Sequence, residues 1–319
     1  MAQIDRVIRL DNLKRMDRLT RVAWGVIAWN VATILLGAVV RATHSGAGCG
    51  RTWPTCGGQL VPALEGATAI EFTHRVASGL ALALVAMLGV MVYRSRPLRH
   101  PARRSMLWAG AAVIGEALIG AAIVLYEWVG RDDSVARVIS VPLHLVNTLL
   151  LLASLTITAW FLAGGGKLQG SGRSRPWLLI GAVALVLIFA TGAVTALADT
   201  LFPTSGAPSA ETQHFLTRLR VLHPILATAA VAAAGIAVRA RGVALSIVRA
   251  LVALTLIQVG LGLLNILMET PLWLQILHLA IADSIWISYV WLAAQTLASE
   301  SASSSDDVTG ARQVKPLHR

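Results

Sequence analysis

Charge is scarce in this sequence. Only 13% of its 319 residues are Asp, Glu, Lys or Arg, about half the share found in soluble globular domains. A chain so poor in charge cannot cover its own surface with polar side chains, which excludes an ordinary water-soluble body. Cysteine is scarcer still. Two residues exclude a disulfide-rich scaffold and a four-cysteine zinc ribbon. The net charge of +11 would admit nucleic acid as a partner if it were gathered on one domain. It is not: the basic residues sit in short stretches between apolar runs, so no nucleic acid is expected. The first 21 residues hold six basic side chains and no apolar core, so no cleavable signal peptide is expected there.

Apolar runs are abundant. The sequence is 56% hydrophobic with a mean hydropathy of +0.69. A hydrocarbon layer of about 30 Å takes about 20 helical residues to cross. Eight runs of that kind lie near 22–42, 70–93, 104–127, 139–163, 176–199, 215–238, 245–268 and 271–297. The expected fold is therefore an all-α membrane protein with eight transmembrane helices and the lipid bilayer as solvent. Segment 1–21 precedes the first span, and a Ser-rich, charged tail over 298–319 is expected to be disordered.

Twenty of the 27 Lys and Arg residues fall in alternate connections: the N-terminal segment, Arg94–Arg104, Lys167–Arg175, Arg239–Arg249 and the tail. The other connections carry few. This asymmetry predicts that both termini are cytoplasmic in a multi-pass protein of the bacterial plasma membrane. The two halves also echo each other. Gly120 and Glu127 recur as Gly262 and Glu269 at the same spacing, and Gly37-Ala-Val recurs as Gly192-Ala-Val. Two pseudo-symmetric four-helix bundles, 22–163 and 176–297, would run parallel about an axis along the membrane normal.

Histidine carries the chemistry. His100 and His318 lie in basic or terminal segments and are expected to be solvated, and His44 and His214 lie at helix ends. The other four, His74, His144, His223 and His278, each lie near the start of an even-numbered span. Even spans start on the outer side in this topology, so all four imidazoles sit at one depth, two per half. Two imidazoles on neighbouring helices can grip one heme iron from both faces. The spacing thus predicts two heme sites, in preference to hydrogen-bonded interior histidines. No tight His-x-x-x-His or cysteine cluster accompanies them to favour zinc or copper.

Other polar residues admit more than one reading. Glu71 precedes His74 by three residues and so shares its helix face. It is either a proton-transfer group or an acid stabilising a helix N-terminus. Cys49 and Cys56 form either a structural disulfide or a redox-active pair, with a metal site at His44 a lesser alternative. Arg75, Arg218 and Arg220, level with the histidines, suit heme propionates or simple snorkelling. Glu116 and Gln258 correspond between the halves, and Asp283 lies in the last span. These mark proton paths or helix–helix glue.

Taken together, these residues resemble the heme A synthase family. The first outer loop, Gly37-Ala-Val-Val-Arg-Ala-Thr-His-Ser-Gly-Ala-Gly-Cys49-Gly-Arg-Thr-Trp53-Pro54-Thr-Cys56-Gly, is similar to the loop of the bacterial type with its cysteine pair. Glu71-Phe-Thr-His74-Arg75 matches the family's Glu-x-x-His-Arg element, and His144, His223 and His278 match its other histidines. His44 departs from the pattern, which has glycine there. The resemblance covers about residues 20–297. It implies oxidation of the C8 methyl of heme O to a formyl group, giving heme A. It also implies a heme b cofactor between His223 and His278 in the C-terminal half, and substrate heme O between His74 and His144. Glu71 and His74 would be catalytic, and the cysteine pair would serve redox function or heme transfer. A heme O synthase and an electron donor are the partners implied. The alternative is a bis-histidine membrane cytochrome b or heme carrier that leaves heme unmodified.

Overall fold

The computed structural model describes residues 17–168, 174–202, 222–227 and 245–313. Among the described residues the chain is helical with no strand, and seven helices are long and apolar enough to cross a membrane. They are α1 (Arg18–Ala42), α2 (Gly66–Ser95), α3 (Pro101–Leu125), α4 (Val135–Leu162), α5 (Arg175–Leu201), α6 (Leu245–Leu267) and α7 (Leu272–Gln313), with a short 3-10 turn at Ser45–Ala47. The expected sixth span, 215–238, lies mostly outside the described residues, of which 222–227 are helical.

Local chemistry sets the helix ends. Ser134 caps α4, its hydroxyl accepting from the Arg137 N–H, and Pro101 opens α3, where its missing N–H costs nothing. His100, expected to be solvated, caps α3 by accepting from the Ala102 N–H at 3.3 Å. α3 and α6 are each followed by a glutamate in the left-handed region, Glu127 at φ 60° and Glu269 at φ 58°. These are the two glutamates that correspond in the internal repeat. α7 stays helical to Gln313, beyond the point where the sequence predicts order to end. A helix already nucleated in a span adds further residues at little cost.

Packing divides the bundle along its length. The contiguous apolar core is built from Leu19, Ala23 and Val26 of α1, Val85, Leu88 and Val92 of α2, Met106 and Ala109 of α3, Leu149, Leu152 and Leu155 of α4, and Trp286 and Val290 of α7. Most belong to the end away from the cysteine loop, with Leu149 and Trp286 at mid-depth. Aromatic contacts close that end, with Trp291 of α7 5.5 Å from Trp24 and 5.1 Å from Trp160, ring centre to ring centre. The histidines lie in the other half of the bundle. His74, His144 and His278 come about 12, 14 and 9 Å along their helices at 1.5 Å per residue. The outward faces carry exposed Leu107, Trp108, Ile114, Leu118 and Leu256, as lipid-facing surfaces do.

The two halves are fastened at the cysteine-loop end by Arg41, near the last turn of α1. Its guanidinium donates to the Ala196 carbonyl of α5 at 2.6 Å, to the Thr200 hydroxyl, and to Gln275 Oε1 of α7 at 2.8 Å. Midway, Trp286 Nε1 of α7 donates to the Leu149 carbonyl of α4 at 2.8 Å.

Candidate functional site

Each of the four histidines rests against a glycine of the preceding membrane helix. A Cβ built on Gly37 of α1 would stand 3.0 Å from His74 Cε1, and one on Gly192 of α5 would stand 3.1 Å from His223 Cε1. Gly262 of α6 gives 3.3 Å to His278 Cε1, and Gly120 of α3 gives 3.9 Å to His144 Cε1. These are the glycines that mark the repeat in the sequence. Glycine is needed at the tighter seats because any side chain would push the imidazole away.

The ring nitrogens have different neighbours. His223 Nδ1 lies 3.1 Å from the Ile188 carbonyl. His278 Nε2 lies 3.0 Å from Gln258 Nε2. His144 Nδ1 is 3.1 Å from Glu116 Oε2, within ion-pair distance but without the alignment of a hydrogen bond. Nδ1 of His74 and Nδ1 of His278 are buried without a hydrogen-bond partner. The rings of His223 and His278 stand 6.3 Å apart, centre to centre. Metal–imidazole bonds of about 2 Å on opposite sides of one ion would hold two ring centres about 6 Å apart. For the His223–His278 pair, the orphan Nδ1 of His278, the ring separation and the partners on the other nitrogens fit a bis-imidazole heme site. Among the described residues no group of three or more His, Cys, Asp or Glu side chains could hold a bare metal ion. A heme iron needs only two.

Above His74 sits the cysteine loop, clasped to α2 by one ion pair. Glu71 is buried, and its Oε2 accepts the Cys49 N–H at 2.7 Å. Its Oε1 takes Arg75 Nε at 3.1 Å and Nη2 at 2.5 Å. Arg75 Nη1 in turn reaches the Thr52 and Thr55 carbonyls at 2.5 and 2.6 Å. Arg75, expected from the sequence as a propionate partner, thus has four of its five N–H donors engaged by Glu71 and the loop. Glu71 shares the helix face of His74 as expected, but its carboxylate is occupied by the clasp. Cys49 and Cys56 are buried and joined in a disulfide, the state shared by a structural bridge and by the oxidised form of a redox pair.

The loop's path explains the departure at position 44. His44 adopts φ 55°, the left-handed region that glycine favours, and its Nδ1 lies 3.2 Å from the Gly130 carbonyl. That contact offsets part of the backbone cost. Gly48 passes so close to α2 that a Cβ would fall 2.5 Å from Ala67 backbone atoms. Arg137 straps the neighbouring loop by donating to the Gly130 and Asp132 carbonyls at 2.8 and 2.7 Å.

Several candidates fall elsewhere. Arg218, Arg220 and His214 lie outside the described residues. Asp283 is fully buried, and neither of its oxygens has a hydrogen-bond partner. Three features were not read from the sequence as functional: the imidazole seats, the Glu116–His144 contact, and Arg41 between the halves. The repeat glycines carried the signal for the first.

A family model described as cytochrome oxidase assembly protein, COX15-CtaA, matches residues 20–69 and 64–290. A protein of Thermus thermophilus named protoheme IX farnesyltransferase is 43% identical over 296 residues, covering 88% of this chain and 49% of that protein. The chain therefore spans about half the length of that relative. The heme A synthase of Halalkalibacterium halodurans is 36% identical over 99 residues, 30% of this chain and 33% of the relative. That of Lysinibacillus sphaericus is 38% identical over 116 residues, 34% and 36% of the two chains. With the family match running through the cysteine loop and all four histidine seats, this multi-pass membrane chain belongs to the heme A synthase family, COX15-CtaA.

Proposed function

We propose that this chain is a heme A synthase, oxidising the C8 methyl of heme O to a formyl group. The observation that carries the reading is the set of four imidazoles, two in each half, each seated on a glycine of the helix before it. His223 and His278 would hold a heme b cofactor, and His74 and His144 would hold the substrate heme. Bound there between paired imidazoles, the hemes would supply one-electron transfer that no side chain offers. The duplicated seats support two parallel halves of one ancestral unit, with catalysis in the half that carries the clasped loop.

The chain's own residues then divide the work. His74 and His144 orient the substrate ring between α2 and α4. The cysteine loop, held down by Glu71 and Arg75, covers that site and limits water. Glu71, whose carboxylate holds both Arg75 and the Cys49 N–H, would act on the reaction through the loop it keeps in place. The basic connections at the opposite end support termini on the cytoplasmic side of a bacterial plasma membrane. The Thermus relative's name describes farnesylation of heme, which supports a heme O synthase as the supplier of substrate.

Co-expression with a source of heme O, followed by pigment extraction and mass spectrometry, tests the reading. Heme A should appear, and should be lost on His74→Ala. Glu71→Gln should slow its formation while both hemes stay bound. Bound heme with no formyl product would instead establish an electron-transfer or carrier protein.

A further inference from the structure

Glu116 and Gln258 stand at matching places in the two halves. Each lies four residues before a seating glycine, Gly120 or Gly262, and each touches the imidazole seated there. Glu116 Oε2 is 3.1 Å from His144 Nδ1. Gln258 Nε2 is 3.0 Å from His278 Nε2. The contacts fall on different ring nitrogens, Nδ1 of His144 and Nε2 of His278, and the matching positions carry a carboxyl group in one half and a neutral amide in the other.

The surroundings differ in the same sense. Glu116 Oε1 accepts from Asn147 Nδ2 at 2.6 Å and from the Thr148 hydroxyl at 3.1 Å. These donors sit three and four residues after His144, and Asn147 is itself steadied by the Ala112 carbonyl at 2.8 Å. The residues three and four after His278 are Ile281 and Ala282, which offer no side-chain donor. A negative charge at membrane depth persists only where donors replace its water. The positions after His144 supply them and the corresponding positions after His278 do not.

We infer that Glu116 is a positioning residue that sets the electron-donating strength of His144, so that the two histidine sites hold heme at different reduction potentials. The inference rests on the reading of His144 and His278 as heme ligands. A carboxylate beside one ring nitrogen makes the other a more basic ligand. A more basic ligand favours the ferric iron and lowers the potential. A heme at His144 then gives up an electron more readily than one at His278. The direction of electron flow from the substrate half to the cofactor half is thereby fixed by one residue difference.

The test is a redox titration of the full-length protein loaded with heme b, followed by its visible spectrum. Each signal is assigned by its loss in His144→Ala or His278→Ala. Glu116→Gln keeps the shape of the side chain and should raise the midpoint of the N-terminal heme alone. The expected size is about tenfold in the reduced-to-oxidised ratio, about 59 mV for one electron. Glu116→Asp keeps the charge and draws it back from the imidazole by one methylene. It should shift the same heme in the same direction by less, and it decides the matter if Glu116→Gln does not retain heme. An unmoved potential in a variant with wild-type heme content overturns the inference. A wild-type protein without heme at His144 removes the parent reading as well, and heme stoichiometry alone tells the two failures apart.

Discussion

Glu71 and Arg75 are nearly buried, with side chains 3% and 10% exposed. Losing one partner of such a pair leaves an uncompensated charge and costs about 3–5 kcal/mol. Arg75→Ala should therefore lower the thermal unfolding midpoint in detergent markedly. Arg75→Lys should rescue little, because an ammonium cannot reach Glu71 and two loop carbonyls at once. The double variant Glu71→Ala/Arg75→Ala should recover part of the loss. A shift within error for Arg75→Ala would show that the clasp contributes nothing to stability. The seating glycines allow a graded comparison. Gly37→Ala and Gly192→Ala drive a methyl to 3.0 and 3.1 Å from an imidazole, whereas Gly120→Ala leaves an ordinary 3.9 Å contact. Bound heme, measured as the pyridine complex, should fall in the first two and hold in the third. Equal loss in all three would mean that the seats do not position the rings.

At the scale of elements, the cysteine loop joins α1 to α2 and is closed by a disulfide across a sequence separation of 7. By loop-closure entropy so short a ring stabilises by about 2.5 kcal/mol. Reduction, or Cys49→Ser with Cys56→Ser, should lower the unfolding midpoint correspondingly, and the Arg75 variant should become more sensitive to reductant than the wild type. Independence of the two effects would show that loop and clasp act separately. The helices themselves were largely legible in the sequence. The run read at 70–93 is α2 at Gly66–Ser95, and that read at 139–163 is α4 at Val135–Leu162. Helices α1 to α4 begin three or four residues earlier than hydropathy indicates because residues at a span's edge continue the helix into the headgroup layer, whereas α5 to α7 begin within one residue of the expected start. Glu116 was visible as a repeat position, but its contact with His144 was not. That contact depends on the rotation of α3 against α4, which spacing along one helix does not encode.

For the whole molecule, composition sufficed to read a membrane bundle, and the cysteine loop with the Glu71-Phe-Thr-His74-Arg75 element and the other histidines sufficed to read its family. Arg41 was not legible, since its partners lie 155 to 234 residues away and no local pattern points to them. The charge asymmetry predicts that reporter enzymes active only outside the cytoplasm will work when fused near residue 60 and fail when fused near residue 98. The opposite result would invert the topology and place the cysteine loop inside the cell.

Arg41 has one more consequence. It rivets α1 to α5 and α7 at one end of the barrel-like stack, and the tryptophans around Trp291 rivet the other. A body riveted at both ends does not rock open like a clam. A flat greasy guest must slip between the staves from the side, as a coin enters a slot. Its exchange rate should then follow the stiffness of the surrounding acyl chains, slowing in vesicles of saturated lipid, with little response to the viscosity of the water outside.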